Sequence, residues 1–296
     1  MDWDKLRIFH AVAEAGSFTH AANTLNLSQS AISRQVSALE QELSVPLFHR
    51  HARGLVMTEQ GETLYRTAHD VLLKLDAVKN QLTDSTERPE GRLRVTTTVG
   101  LGTSWLTSRV HEFMELYPEV QLELILENGE LDLFTREADC AIWFRKPSQG
   151  ELIQRRLFTV HFHVYASPAY VKRHGQPKSI EDLDNHRIVT FGENLPSYLA
   201  GLNWLETAGR SPSQHRTPVF SVNNLMALRK VVEAGTGIAV LPDYIVEDRH
   251  ALVQLIQNAE VPSFETYFVY AEAMRSSARL KVFRDFLVSK SRQWQF

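Results

Sequence analysis

Gln29, Ser30, Ser33, Arg34 and Ser37 are spaced by one, three, one and three residues. That is the repeat of a single helical face. The side chains suit the reading of nucleic-acid bases. Glutamine pairs with adenine through two bonds, arginine with guanine, and serine hydroxyls with bases or phosphates. From Ala15 through Leu39 there is no acidic residue, so this stretch carries nothing that repels a polyanion. Arg50 and Arg53 follow in a second acid-free stretch between Leu43 and Thr58, as His49-Arg50-His51-Ala52-Arg53. A basic loop at that place reads as a wing gripping phosphate or minor groove. A soluble helix can also carry Ser, Gln and Arg on its outer face; the position of the basic loop favours the nucleic-acid reading.

These residues need two helices and a tight turn. Ile32, Val36, Leu39 and Leu43 form one apolar stripe at spacings of four, three and four, opposite the polar face. Ser28 is placed to cap that helix by accepting from the N–H of Ser30 or Ala31. Ala21 and Ala22 are small where two helices must approach. Phe9, Val12, Phe18, Leu25 and Leu27 supply a small core. From Thr58 to about Leu82 a longer helix is predicted. Leu64, Ala68, Val71, Leu75, Val78 and Leu82 recur in it at four, three, four, three and four. Such a two-per-seven seam predicts pairing with a second copy of the chain. The polar run Asp84–Gly91 marks a domain boundary.

After Gly91 the pattern alternates. Strands are predicted at Leu93–Thr98, Val120–Leu126 and Cys140–Phe144, with helices at Ser104–Tyr117 and Leu131–Glu137. A second series has strands His161–Ala166, Ile188–Phe191, Val219–Val222 and Ile238–Leu241. Its helices lie around Ala169–His174, Leu202–Ala208 and Leu225–Ala234. Thr266–Tyr270 and a helix at Leu280–Phe286 finish the chain. The alternation predicts parallel α/β sheets. Ligands of such sheets sit beyond the carboxyl ends of strands. That rule selects Thr97, Thr98, Gly100, Gly102, Thr103 and Ser104 after the first strand, and Trp143, Phe144 and Arg145 after the third. It also selects Phe191, Asn223 and Asn224 in the second series. Hydroxyls beside free N–H groups suit a carboxylate or phosphate, Arg145 could clamp one, and Trp143 and Phe144 could offer a stacking wall. Thr97 could instead be a sheet residue, Trp143 core, and Arg145 one half of an ion pair.

Other chemistries lack their residues. Gly100-Leu101-Gly102 has no third glycine for a dinucleotide fingerprint, and Gly235-Thr236-Gly237 does not follow a predicted strand. His161 and His163 have no evident third metal ligand. Cys140 lies in an apolar strand pattern and reads as an inert thiol. No Gly-x-Ser-x-Gly elbow or acid–base set of recognisable spacing occurs. No catalytic residue, metal site or cofactor is therefore expected.

Ala21-Ala22, Leu25, Ser28 to Ser33, Leu39-Glu40, Leu47-Phe48, Arg50, Leu55, Thr58 and Gly61 together resemble the N-terminal signature of LysR-type bacterial transcription regulators. Ser44 departs from it, standing where such sequences commonly have glycine. The resemblance extends over nearly the whole chain. It implies base contacts by Gln29, Ser33 and Arg34, and a wing role for Arg53. It implies a winged helix-turn-helix in 1–58, a linker and dimerisation helix in 59–91, and an effector domain of periplasmic-binding-protein type in 92–296. Lobe I would span 92–160 and 267–296, and lobe II 161–266. The partners expected are double-stranded DNA, a small effector that the site residues suggest is an organic anion, RNA polymerase, and further copies in a homodimer or homotetramer.

Composition bounds this reading. The 296 residues carry a net charge of −3. Residues 1–58 balance Lys5, Arg7, Arg34, Arg50 and Arg53 against Asp2, Asp4, Glu14, Glu40 and Glu42. A globally basic DNA binder is excluded, and any electrostatic footprint must be local. No leader pattern or membrane-length apolar run is evident, so a cytoplasmic place and no membrane partner are expected. The competing class is a solute-binding module or enzyme with N-terminal helices used only for protein contact.

Overall fold

The computed structural model describes residues 2–51, 54–83, 88–134, 137–147, 150–192, 195, 197–211, 214–246 and 251–293. The chain divides into two units, residues 1–83 and 84–296, each with its own core.

In the first unit, α1 (Trp3–Ala15), α2 (Phe18–Leu25) and α3 (Gln29–Leu43) pack around Phe9, Val12, Ile32, Val36 and Leu39, all fully buried. Each helix start is satisfied locally. Asp2 accepts from the Asp4 N–H at 3.2 Å, Ser17 from His20 at 3.4 Å and Ser28 from Ala31 at 3.2 Å. The helices end at left-handed residues, Gly16, Asn26 and Ser44. A hairpin follows, β1 (Phe48–His51) pairing antiparallel with β2 (Gly54–Met57). α4 (Glu59–Thr83) starts at Thr58, whose hydroxyl accepts from the Gly61 N–H at 3.0 Å and donates to the Pro46 carbonyl at 2.8 Å. A Cβ at Gly61 would lie 2.1 Å from the Leu47 carbonyl oxygen, so only glycine lets α4 approach the hairpin. The Glu40 carboxylate accepts from the Leu47 N–H at 2.8 Å. These bonds explain why Glu40, Leu47, Thr58 and Gly61 occur together.

The expected seam on α4 divides. Ala68 is fully buried in the unit's own core, and Leu64 packs against it. Those two positions are occupied within the chain, because the short helices need α4 to close their core. Val71 is half-buried and Leu75 is 50% exposed. The side chains of Val78 and Leu82 lie outside the described residues.

The second unit holds two α/β lobes. In the first, β3 (Gly91–Thr97) leads through α5 (Val99–Leu101), a π turn (Gly102–Leu106) and α6 (Thr107–Leu116) to β4 (Val120–Leu126), then β5 (Cys140–Trp143) and β6 (Leu152–Val160). The second contains β7 (Phe162–Ala166), α7 (Pro168–His174), β8 (Val189–Phe191), α8 (Trp204–Thr207), β9 (Phe220–Val222), α9 (Leu225–Glu233), β10 (Ala239–Pro242) and β11 (Val253–Leu255). β12 (Phe264–Ala271) returns to the first lobe and α10 (Ala278–Arg292) covers it. The first sheet runs β4-β3-β5-β12-β6. β3 is parallel to β4 and β5, whereas β12 is antiparallel to β5 and β6. The second lobe has an antiparallel sheet, β10-β7-β11, and a parallel pair, β8-β9.

Four expectations are corrected. The sheets are mixed, because the chain crosses between lobes twice and β12 returns in the opposite sense to β5. β6 and β11 were not anticipated. In place of a helix over 131–137, residues 133 and 134 form a turn, and no described residue of the segment is helical. The Asp132 carboxylate accepts from the Phe134 N–H at 2.7 Å and Glu137 from the Asp132 N–H at 3.0 Å, local bonds that compete with helix formation. The expected helix 202–208 is a 3-10 turn (Ser197–Asn203) leading into α8.

Candidate nucleic-acid interface and ligand cavity

α3 presents the expected polar face. Gln29, Ser30 and Arg34 are exposed, and Ser33 and Ser37 are half-buried beside them. Ser28 spends its hydroxyl on the cap and lies 3.1 Å from the Ser30 hydroxyl. The exposed end is the first turn of α3, where free N–H groups and the positive end of the helix dipole favour phosphate. Arg50 belongs to β1, opposite Leu55. Its side chain, and Arg53 altogether, lie outside the described residues.

In the second unit a cavity of about 270 Å³ opens at the ends of β3 and β8. Four expected residues line it: Thr98, Phe144, Phe191 and Asn223. Asn128, Gly129, Phe162, Leu195, Leu199, Leu202, Leu225 and Tyr244 complete the wall. The Thr98 hydroxyl is buried and has no hydrogen-bond partner among the described residues. Asn128 Nδ2 donates to the Asn223 carbonyl at 3.1 Å, joining one lobe to the other at the cavity wall. Tyr244 is 2% exposed, and burial pushes its phenol well above the ordinary range.

The remaining expected ligand residues do other work. Thr97 is buried in the sheet and donates to the Ile142 carbonyl at 3.0 Å. Gly100 packs on the opposite lobe, where a Cβ would meet Leu225 Cδ1 at 2.9 Å; at Gly102 a Cβ would meet Leu126 Cδ2 at 2.2 Å. The Thr103 hydroxyl donates to the Val99 carbonyl at 2.7 Å, and Ser104 lies 3.5 Å from Met226 Sδ. Asn224 caps α9, accepting from Met226 at 2.9 Å and Ala227 at 3.0 Å. Trp143 faces the opposite side of the sheet from Phe144 and is buried with Leu133, Ala138 and Val269. Arg145 holds Glu130 through two bonds of 2.8 and 2.6 Å, so its fork is already occupied. Leu195, Leu199 and Leu202 were missed. Their spacing of four and three does carry a helical signal, although Leu199 and Leu202 sit on a 3-10 turn and Leu195 precedes it.

Two family models match the chain: the bacterial regulatory helix-turn-helix protein model of the lysR family over residues 3–62, and the LysR substrate binding domain over residues 86–292. The chain is 34% identical to the HTH-type transcriptional regulator CrgA of Neisseria meningitidis serogroup C, over 97% of this chain and 96% of that protein. A solved structure of CrgA from Neisseria meningitidis shares 31% identity and a TM-score of 0.62, covering 98% of this chain and 99% of that one. The full-length Vibrio cholerae virulence activator AphB shares 26% identity and a TM-score of 0.65 over 98% and 99%.

Proposed function

The chain belongs to the LysR family of transcriptional regulators, with a DNA-binding helix-turn-helix and an effector-binding domain, and from that premise we propose how its residues divide the work. Gln29, Ser33 and Arg34 read base edges in the major groove, while Ser28, Ser30 and Ser37 hold the flanking backbone. Arg50 and Arg53 grip phosphate from the hairpin. α4 pairs with a second copy through Val71, Leu75, Val78 and Leu82, giving two reading heads on one duplex. Leu64 and Ala68 serve mainly the chain's own core. The regulator acts in the cytoplasm and communicates with RNA polymerase.

A small effector occupies the cavity lined by Thr98, Phe144, Phe191 and Asn223 and shifts the balance between lobe arrangements. No catalytic role is assigned. The observation that carries the reading is the capped α3, whose exposed first turn holds no acidic residue.

The test is DNA binding by the full chain between 50 and 200 mM salt. A protein holding phosphates through several cations loses affinity by orders of magnitude over a range of about that width. A flat or absent response rejects the reading. Sedimentation at micromolar concentration tests the pairing through α4, which a monomer would contradict.

A further inference from the structure

We infer that the effector is an uncharged, ring-sized molecule with one hydrogen-bonding group, which meets the Thr98 hydroxyl. This rests on the reading of the cavity as the effector site. It departs from the organic anion that the hydroxyls and N–H groups suggested in the sequence.

Charge supplies the first reason. No Lys, Arg or His lines the cavity among the described residues. None occurs in the adjoining segments 97–104, 126–130, 191–202 and 222–226, whereas Arg145 and Lys146 follow Phe144, and His161 and His163 flank Phe162 without lining the cavity. Those segments do carry Glu127, Glu130 and Glu193. Arg145, the clamp expected from the sequence, has its guanidinium committed to Glu130 at 2.6 and 2.8 Å. Arg229, further along α9, holds Glu233 at 2.7 Å and the Ile245 carbonyl. An anion entering here would lose its water and gain no cation, an unfavourable exchange.

Shape supplies the second reason. Phe144, Phe162 and Phe191 are each under 8% exposed and line the cavity together with four leucines. A cavity of about 270 Å³ fits a molecule of one or two rings. The third reason is the Thr98 hydroxyl, buried without a partner among the described residues. Thr98 sits at the N-cap position of α5, yet its side chain makes no cap bond. Buried hydroxyls are ordinarily satisfied. This one is free to donate to a carbonyl or accept from a hydroxyl.

The probes are 2-naphthol, uncharged at neutral pH, and 2-naphthoate, its carboxylate counterpart, each titrated calorimetrically into the full chain without DNA. 2-Naphthol should bind at least tenfold more tightly. Thr98→Val should weaken it about fivefold, the effect of one neutral hydrogen bond. Leu195→Trp, which fills the cavity from its half-buried rim, should abolish binding. The inference is overturned if 2-naphthoate binds as well or better, if neither probe binds at millimolar concentration, or if both variants bind 2-naphthol as the parent does. Salt-dependent DNA binding by the same preparation is scored separately. Its absence rejects the regulator reading, whereas the titrations alone decide the effector class.

Discussion

The guanidinium of Arg145 lies 5.3 Å from the ring centroid of Tyr198 while it grips Glu130. Arg145 and Glu130 belong to the first lobe and Tyr198 to the 3-10 turn of the second. Burial pushes the Tyr198 phenol up to about 12, and the neighbouring Glu130 carboxylate adds to the rise. The three groups clasp the lobes beside Leu195 and Leu199 of the cavity wall.

The clasp should appear as coupling. Tyr198→Ala and Arg145→Gln each remove one side of the cation–ring contact. A double-mutant cycle on urea unfolding should give a coupling of about 0.5–1 kcal/mol. The value is modest because Arg145 is about a third exposed. Strict additivity would show that the groups merely lie near one another.

A pH dependence is expected in the first unit. His10 Nε2 and His69 Nδ1 are 3.0 Å apart, and His10 stacks on Tyr65 with ring centroids 5.0 Å apart. Burial holds His10 below its ordinary value of 6.5, with His69 contributing, while Glu14 opposes the shift. A histidine depressed by folding takes up its proton more readily when unfolded. Its stabilising contribution is complete above 6.5 and is lost as pH falls below that value. Thermal unfolding should therefore lose more stability between pH 7.5 and 5.5 in the parent than in His10→Leu. Equal losses would remove His10 as a source.

Asp243 should act with the opposite sign. It is 3% exposed; Oδ2 accepts from the His161 N–H at 3.1 Å and Oδ1 from the Tyr244 N–H at 2.9 Å, where the chain enters the second lobe. Burial raises its carboxyl to about 7. A raised carboxyl stabilises most below its unfolded value near 4, and the contribution is lost as pH rises toward 7. Asp243→Asn forfeits one acceptor at every pH, so the slope is diagnostic. The variant should gain stability relative to the parent between pH 5 and 8, and a constant difference would contradict the assignment.

Ser44 ends α3 at φ 57°, a region costly for a residue with a Cβ. Ser44→Gly should raise stability by about 0.5–1 kcal/mol, read from the chemical denaturation midpoint. A loss would show that another contact of Ser44 outweighs the backbone strain.

Local signals were legible where helix periodicity and capping agreed. Ser28, the stripe Ile32, Val36 and Leu39 and the Thr58 start of α4 follow from residue type and spacing alone, whereas Leu43, expected in the same stripe, is exposed. β6 was hidden because Gln154, Arg155 and Arg156 sit mid-strand, half-buried or exposed, and break the apolar alternation. Trp143 and Phe144 are adjacent, so both invited a ligand role, yet they serve opposite sides of the sheet. Which of the two meets the cavity depends on pairing with β12, a strand more than 100 residues away. Asn128, Phe162 and Tyr244 converge on the cavity only through tertiary placement, which no local pattern encodes. The seam on α4 was legible as a period. Its partial use by Ala68 in the chain's own core was not, because a heptad says that a face is apolar without saying what covers it.

The most direct measurement selects DNA from a random library with the full chain and then compares the parent with Arg34→Ala on the selected site at one fixed salt concentration. The parent should enrich two related half-sites about one or more helical turns apart. Arg34→Ala should cost about 1–3 kcal/mol on that site and relax preference at one base pair of each half. No enrichment, or equal affinity and preference in the variant, would contradict the assignment of α3 as the element that reads DNA.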